Sequence, residues 1–241
     1  MKIPAILSAR VGCLAIFLAL FSRPAVCFSC NMALKGPVKL VYFDLRGRGE
    51  LPRLILHAGG QSFDDCPGGI QKSEYEDSLM FGQVPLLIDG DRKIVQSRVI
   101  TKYLAAKLGL CGSGEDEALL CDQLFEGTED IYESLWPACA KYRGGNQEQL
   151  DKVLAPGGNV HKYLVKFDKM LADKRFLMGD TLTYADLALF NVLTVTTAID
   201  ADKYLGEHFP NIRKHYSAVE SHEKLSAYLQ SRRPGFTPWT F

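Results

Sequence analysis

Phe81-Gly82-Gln83-Val84-Pro85-Leu86-Leu87, followed by Gln96-Ser97-Arg98-Val99-Ile100, is the stretch on which the fold turns. A Val-Pro pair opens a short apolar strand, and a Gln-Ser pair opens an amphipathic helix. Pro85 removes a donor from the strand edge, and an X-Pro bond is where a cis peptide is cheap. A cis bond there would turn the Val84 backbone outward, toward an extended ligand. Ser97 falls at the expected helix cap, so its hydroxyl and the amides after it would face a carboxylate. Together the two segments would clamp a small peptide. The plainer alternative is a strand, a turn at Asp89-Gly90-Asp91 and a capped helix with no ligand.

Upstream, residues 38–43 are an apolar, β-branched run suited to a strand buried on both faces. Residues 47–58 place Leu51, Leu54, Ile55 and Ala58 at helical spacing, with Pro52 tolerated in the first turn and Gly59-Gly60 as the stop. Residues 61–64 predict a second strand and 70–79 a weakly amphipathic helix. Residues 84–88 and 93–96 predict a hairpin, and Ile100, Tyr103, Leu104 and Leu108 line one face of a helix from Ser97. The order β-α-β-α-β-β-α is a thioredoxin-like α/β layout with a mixed four-stranded sheet, assigned to residues 36–110.

Residues 109–115 carry three glycines and read as a linker. Residues 115–241 form an all-α domain in pattern. Helical spacing runs through 117–141 and 159–173, separated by a Gly/Gln-rich interruption at 143–158. Thr183 and Asp186 have capping-box spacing, with Leu182 and Leu187 placed as a hydrophobic staple; this serves folding rather than chemistry. Two short helices, 210–221 and 224–231, precede a tail ending Trp239-Thr240-Phe241.

The 241 residues are 47% hydrophobic and 23% charged, a globular composition. Basic and acidic residues balance at 28 each, with no clustered basic face for a nucleic acid. Residues 1–31 differ: Lys2 and Arg10 precede an apolar run at 11–21, too short to span a bilayer comfortably, and Ala25 and Cys27 offer small residues for cleavage. This predicts a signal or targeting leader outside the fold, routing the protein to the secretory pathway. Left uncleaved, it would be a marginal membrane anchor. A start at Met32 would instead give a cytoplasmic form. The body cysteines, Cys66, Cys111, Cys121 and Cys139, show no paired short spacing, so neither a metal site nor a disulfide framework is expected.

Tyr42-Phe43 with Gly47-Arg48-Gly49-Glu50, then Gly82-Gln83-Val84-Pro85, Gln96-Ser97, and Gly179-Asp180-Thr181-Leu182-Thr183-Tyr184-Ala185-Asp186, occur in order. In this the chain resembles the cytosolic glutathione transferases, and most of all the sigma class, which includes haematopoietic prostaglandin D synthases. The resemblance implies a homodimer that uses glutathione as co-substrate, with no tightly bound cofactor. Tyr42 matches the hydroxyl that stabilises the glutathione thiolate, and Arg48 matches an arginine near that thiolate. Gln96 and Ser97 match the pair that holds the γ-glutamyl end. Val84, beside Pro85, matches the residue whose backbone pairs with the cysteinyl unit, and Gln83 would reach toward the glycyl end. Asp130 matches an acidic residue that the partner subunit contributes to the glutamyl amine. Lys72 and Glu76 stand where the family carries a tryptophan and a lysine for the glycyl carboxylate; Lys72 would supply a cation, and Glu76 would oppose that carboxylate.

Phe43, Tyr132 and Trp136, with Trp239 and Phe241, are candidates to line a pocket for a small apolar electrophile. The implied activity is glutathione conjugation. Alternatives on the same scaffold are a glutathione-dependent prostaglandin D isomerase, a peroxidase, or a non-catalytic carrier of haem or other hydrophobic ligands. Relatives that use a cysteine are disfavoured, because none lies between Val38 and Leu51.

Overall fold

The computed structural model describes residues 33–66, 72–139, 146–194 and 199–232. The leader at 1–31 lies outside them. Strand β1 (Val38–Val41) leads through a 3-10 turn (Gly47–Gly49) into α1 (Glu50–Ala58). There follow β2 (Asp64–Cys66), a short α2 (Lys72–Tyr75) continued by a 3-10 turn (Glu76–Ser78), β3 (Leu86–Asp89), β4 (Arg92–Val95) and α3 (Ser97–Lys107). The sheet order is β2-β1-β3-β4, with β1 parallel to β2 and antiparallel to β3, and β3 antiparallel to β4.

The alternation of β-strand side chains explains the layering. Leu40 and Leu87 join the main core, while Val41 and Leu86 face the opposite side with Leu79. Buried Asp89 fixes the hairpin: its carboxylate accepts from the amides of Lys35 (2.6 Å) and Gly36 (3.1 Å) and from the Tyr103 hydroxyl of α3. β2 forms three residues later than its sequence suggested. Asp64, Asp65 and Cys66 have no apolar alternation, and pairing with Lys39, Leu40 and Val41 sets the strand. Of the helix expected at 70–79, residues 72–75 form α2 and 76–78 its 3-10 turn, and 70–71 lie outside the described residues.

The second half is helical: α4 (Glu115–Cys139), α5 (Gln147–Leu154), α6 (Asn159–Met170), α7 (Tyr184–Thr194), a π-helical turn (Ala201–Leu205) running into α8 (Gly206–His208), α9 (Pro210–Glu220) and α10 (Ser226–Gln230). α5 lies inside the expected interruption. The Asn146 side chain caps it, accepting from the Gln149 amide at 2.9 Å. α7 is buried along its whole length and packs against α4 and α1. Its start follows the capping-box spacing: the buried Asp186 carboxylate accepts from the Thr183 amide (2.8 Å), the Thr183 hydroxyl (2.7 Å) and the Leu177 amide (2.7 Å). Among the described residues, no helix is long and apolar enough to cross a membrane.

Candidate active site

The register brings three distant segments to one end of the sheet. Val41 pairs with Leu86, and Leu86 with Val95. Tyr42 therefore leaves β1 where Val84-Pro85 enters β3 and where Gln96-Ser97 leaves β4. The Val84-Pro85 peptide is cis, and Val84 lies just outside the strand.

Tyr42 is buried, and the loop from 43 to 49 folds back over its ring. A Cβ added at Gly49 would stand 2.4 Å from Tyr42 Cδ1, and one at Gly47 would stand 2.7 Å from the hydroxyl oxygen. Gly47 also has φ +37°, which side chains rarely adopt. This close approach aims the Arg48 amide at the tyrosine: its N–H donates to the Tyr42 hydroxyl oxygen at 3.0 Å. A donor into the oxygen polarises the phenol and strengthens it as a donor in turn.

The Arg48 guanidinium turns to α4. It lies 3.7 Å over the Tyr132 ring and pairs with Glu129 and Glu133 of α4. Burial works against the Arg48 charge, but Glu129, Tyr132 and Glu133 together outweigh it and the pKa stands above the ordinary value. Burial pushes the Tyr132 phenol far up, so it stays protonated. Arg98 pairs with Glu126 and lies 3.9 Å from Glu129, while Lys102 bridges Asp122 and Glu126 at 3.3 Å each. These charges join α3 and the glycine loop to α4.

Ser97 is the first residue of α3 rather than its cap. Gln96 takes the cap position with φ +72° and makes no side-chain cap hydrogen bond. It is the one non-glycine residue with positive φ among the described residues, a conformation that concentrates at ligand sites. Ser97, Arg48, Glu129, Tyr132 and Asn191 line a small cleft between the halves of the chain.

The remaining candidates scatter. Gln83 is exposed near the sheet end. Phe43 is exposed and meets Tyr42 edge-on, with ring centroids 5.4 Å apart. Tyr132 and Trp136 stack one helical turn apart at 6.3 Å. Asp130 lies outside the cleft, exposed, and accepts from the Tyr163 hydroxyl at 2.6 Å. Glu76 is exposed; the side chain of Lys72, and Trp239 and Phe241, lie outside the described residues. Sequence reasoning missed the site role of Glu129, whose spacing with Glu126 and Glu133 was visible but whose partner, 81 residues away, was not. It also missed Asn191, whose buried Oδ1 has no hydrogen-bond partner.

Comparison with known proteins identifies the fold and the family. The family description "Glutathione S-transferase, N-terminal domain" matches residues 38–106, and "Glutathione S-transferase, C-terminal domain" matches 129–232. Glutathione S-transferase 2 of Onchocerca volvulus is 32% identical over 205 residues, covering 83% of this chain and 95% of its own. Glutathione S-transferase alpha-1 of Rattus norvegicus is 32% identical over 206 residues, covering 82% and 90%. The solved Pi-class enzyme of Onchocerca volvulus superposes with a TM-score of 0.72 at 30% identity, covering 85% of this chain and 97% of that one. The chain belongs to the glutathione S-transferase family and is a glutathione transferase. Pi, alpha and nu class names all occur among its relatives.

Proposed function

We propose that Tyr42 is the thiolate-stabilising residue of this transferase and that the enzyme conjugates glutathione to apolar electrophiles. The observation that carries this reading is the Arg48 amide on the Tyr42 hydroxyl, at the sheet end shared by Val84 and Ser97. A free thiol with a pKa of about 8.5 is mostly protonated at neutral pH. A phenol donating to sulfur favours the thiolate, and each unit of lowering is worth about 1.4 kcal/mol. The thiolate then forms a C–S bond to the electrophilic carbon. The bonding electrons leave with the displaced group or move onto the neighbouring atom, which is protonated.

Val84 would pair its main chain with the cysteinyl unit. Ser97, Gln96 and the first amides of α3 would take the γ-glutamyl carboxylate, favoured by the helix N-terminus. Gln83 and Lys72 would serve the glycyl end. Exposed apolar Met80 (77%) and Phe81 (60%), side by side before Gln83, support a homodimer that covers them, with Asp130 reaching the partner's site. Phe43, Tyr132 and Trp136 supply aromatic surface for the acceptor. The sigma-class reading rests on Tyr42-Phe43 and Gly47 to Glu50. The composition of residues 1–31 supports entry into the secretory pathway.

The test is conjugation of a chloronitrobenzene, with titration of the bound thiolate by its ultraviolet absorbance, in wild type and Tyr42→Phe. The phenylalanine variant should raise the bound thiol pKa by about 1 to 2 units and lower kcat roughly in proportion. Unchanged values would remove Tyr42 from the mechanism.

A further inference from the structure

Arg53 of α1 is the largest fully buried side chain among the described residues. Its Nη1 donates to the Leu45 carbonyl (3.1 Å), its Nη2 to the Phe43 carbonyl (3.3 Å) and its Nε to Asp65 Oδ2 (2.9 Å). The guanidinium carbon is 5.9 Å from the centroid of the Tyr42 ring. One planar group thus grips two carbonyls of the loop that leaves Tyr42 and fastens them to β2.

The next link is Glu50, also without exposed surface. Its Oε2 lies 3.8 Å from Arg53 Nη1 and accepts from the Tyr228 hydroxyl at 2.9 Å, while its Oε1 accepts from Arg232 Nη2 at 2.6 Å. Tyr228 belongs to α10 and stacks on His57 of α1, with ring centroids 4.1 Å apart. From the same loop, Arg46 donates to the Thr194 carbonyl of α7 at 2.9 Å.

We propose that Arg232, Glu50 and Arg53 form a latch through which the end of the helical half positions Tyr42. A buried carboxylate needs its donors, and two of those of Glu50 come from residues 228 and 232. Withdrawing them leaves Glu50 short of partners beside Arg53, whose other bonds define the loop. That loop carries both the tyrosine ring and, at Arg48, the amide that orients its hydroxyl. Arg53, Glu50 and Arg232 are positioning residues, and this rests on the Tyr42 reading above.

The experiment titrates the bound glutathione thiol in the full-length chain for Arg232→Gln and Tyr228→Phe, beside Tyr42→Phe and the remote control Arg213→Gln. Each latch variant should raise the thiol pKa by about one unit, lowering the thiolate fraction and kcat at neutral pH by about three- to tenfold. KM for glutathione should stay within about twofold, and kcat should recover at alkaline pH. Arg213→Gln should match wild type. A latch variant that loses thermal stability with a wild-type thiol pKa overturns the proposal, since the contact is then only structural. Should Arg232→Gln not fold, Tyr228→Phe, which keeps the ring on His57, decides between the same two outcomes. A wild-type thiol pKa in Tyr42→Phe would instead show that the Tyr42 reading has failed.

Discussion

Gly49 lies flat against Tyr42, so that a methyl group on it would fall 2.4 Å from Cδ1 and 2.7 Å from Cγ of the ring. Gly49→Ala must displace either the ring or the loop. Overpacking of this kind costs about 1 to 3 kcal/mol, and a catalytic group moved by about 1 Å can lose roughly a hundredfold in rate. The variant should stay folded while kcat/KM falls about ten- to a hundredfold, measured by conjugation kinetics beside thermal unfolding.

Ser97→Ala separates binding from chemistry. The hydroxyl sits at the head of α3 and would hold a carboxylate present in both ground and transition states. Losing a hydrogen bond to a charged group costs about 1.5 to 3 kcal/mol. KM for glutathione should rise about ten- to a hundredfold with kcat nearly unchanged. A fall in kcat at constant KM would place Ser97 in the chemical step.

Asp186→Ala should be among the most damaging single changes. The carboxylate is fully buried, takes three donors from Thr183 and Leu177, and lies 3.0 Å from His215 Nε2. Breaking such a network costs about 3 to 5 kcal/mol, well beyond the roughly 1 kcal/mol of a surface cap. Denaturant unfolding should show that loss. A shift below about 1 kcal/mol would mean that the cap alone matters.

His57 gives stability a pH dependence of known sign. Burial lowers its pKa below the ordinary 6.5, outweighing Asp65. The unfolded chain therefore takes up the proton first. Stability is complete above about pH 6.5 and falls as pH drops toward the lower folded value. His57→Phe keeps an aromatic ring against Tyr228 and should flatten this fall in the thermal midpoint. It should not abolish it, because burial also lowers the pKa of His222. Parallel curves for the two proteins would refute the assignment.

What could be read from the chain was local. The hairpin follows from two short apolar runs around Asp89-Gly90-Asp91, and the start of α7 from Thr183 and Asp186, three residues apart. Tyr42, Val84 and Ser97 could be named as a set through resemblance, but only strand register shows that they share one sheet end. β2 carries no pattern of its own because its neighbour imposes it. α5 escaped notice because Leu150, Val153 and Leu154 are too few to establish a period. The ion pairs of Arg48 and Arg53 depend on how the two halves dock, which no short window of sequence contains. The cap of α3 falls one residue before Ser97 because Gln96 adopts a backbone conformation that its side chain does not advertise.

The contact on the Tyr42 hydroxyl is made by the main chain of Arg48. Any amino acid except proline would supply the same N–H at that position. The orienting bond is thus robust to mutation of its own residue and fragile to mutation of its glycine neighbours. If Tyr42 acts as proposed, position 48 can vary its side chain in the cleft without surrendering the donor to that hydroxyl.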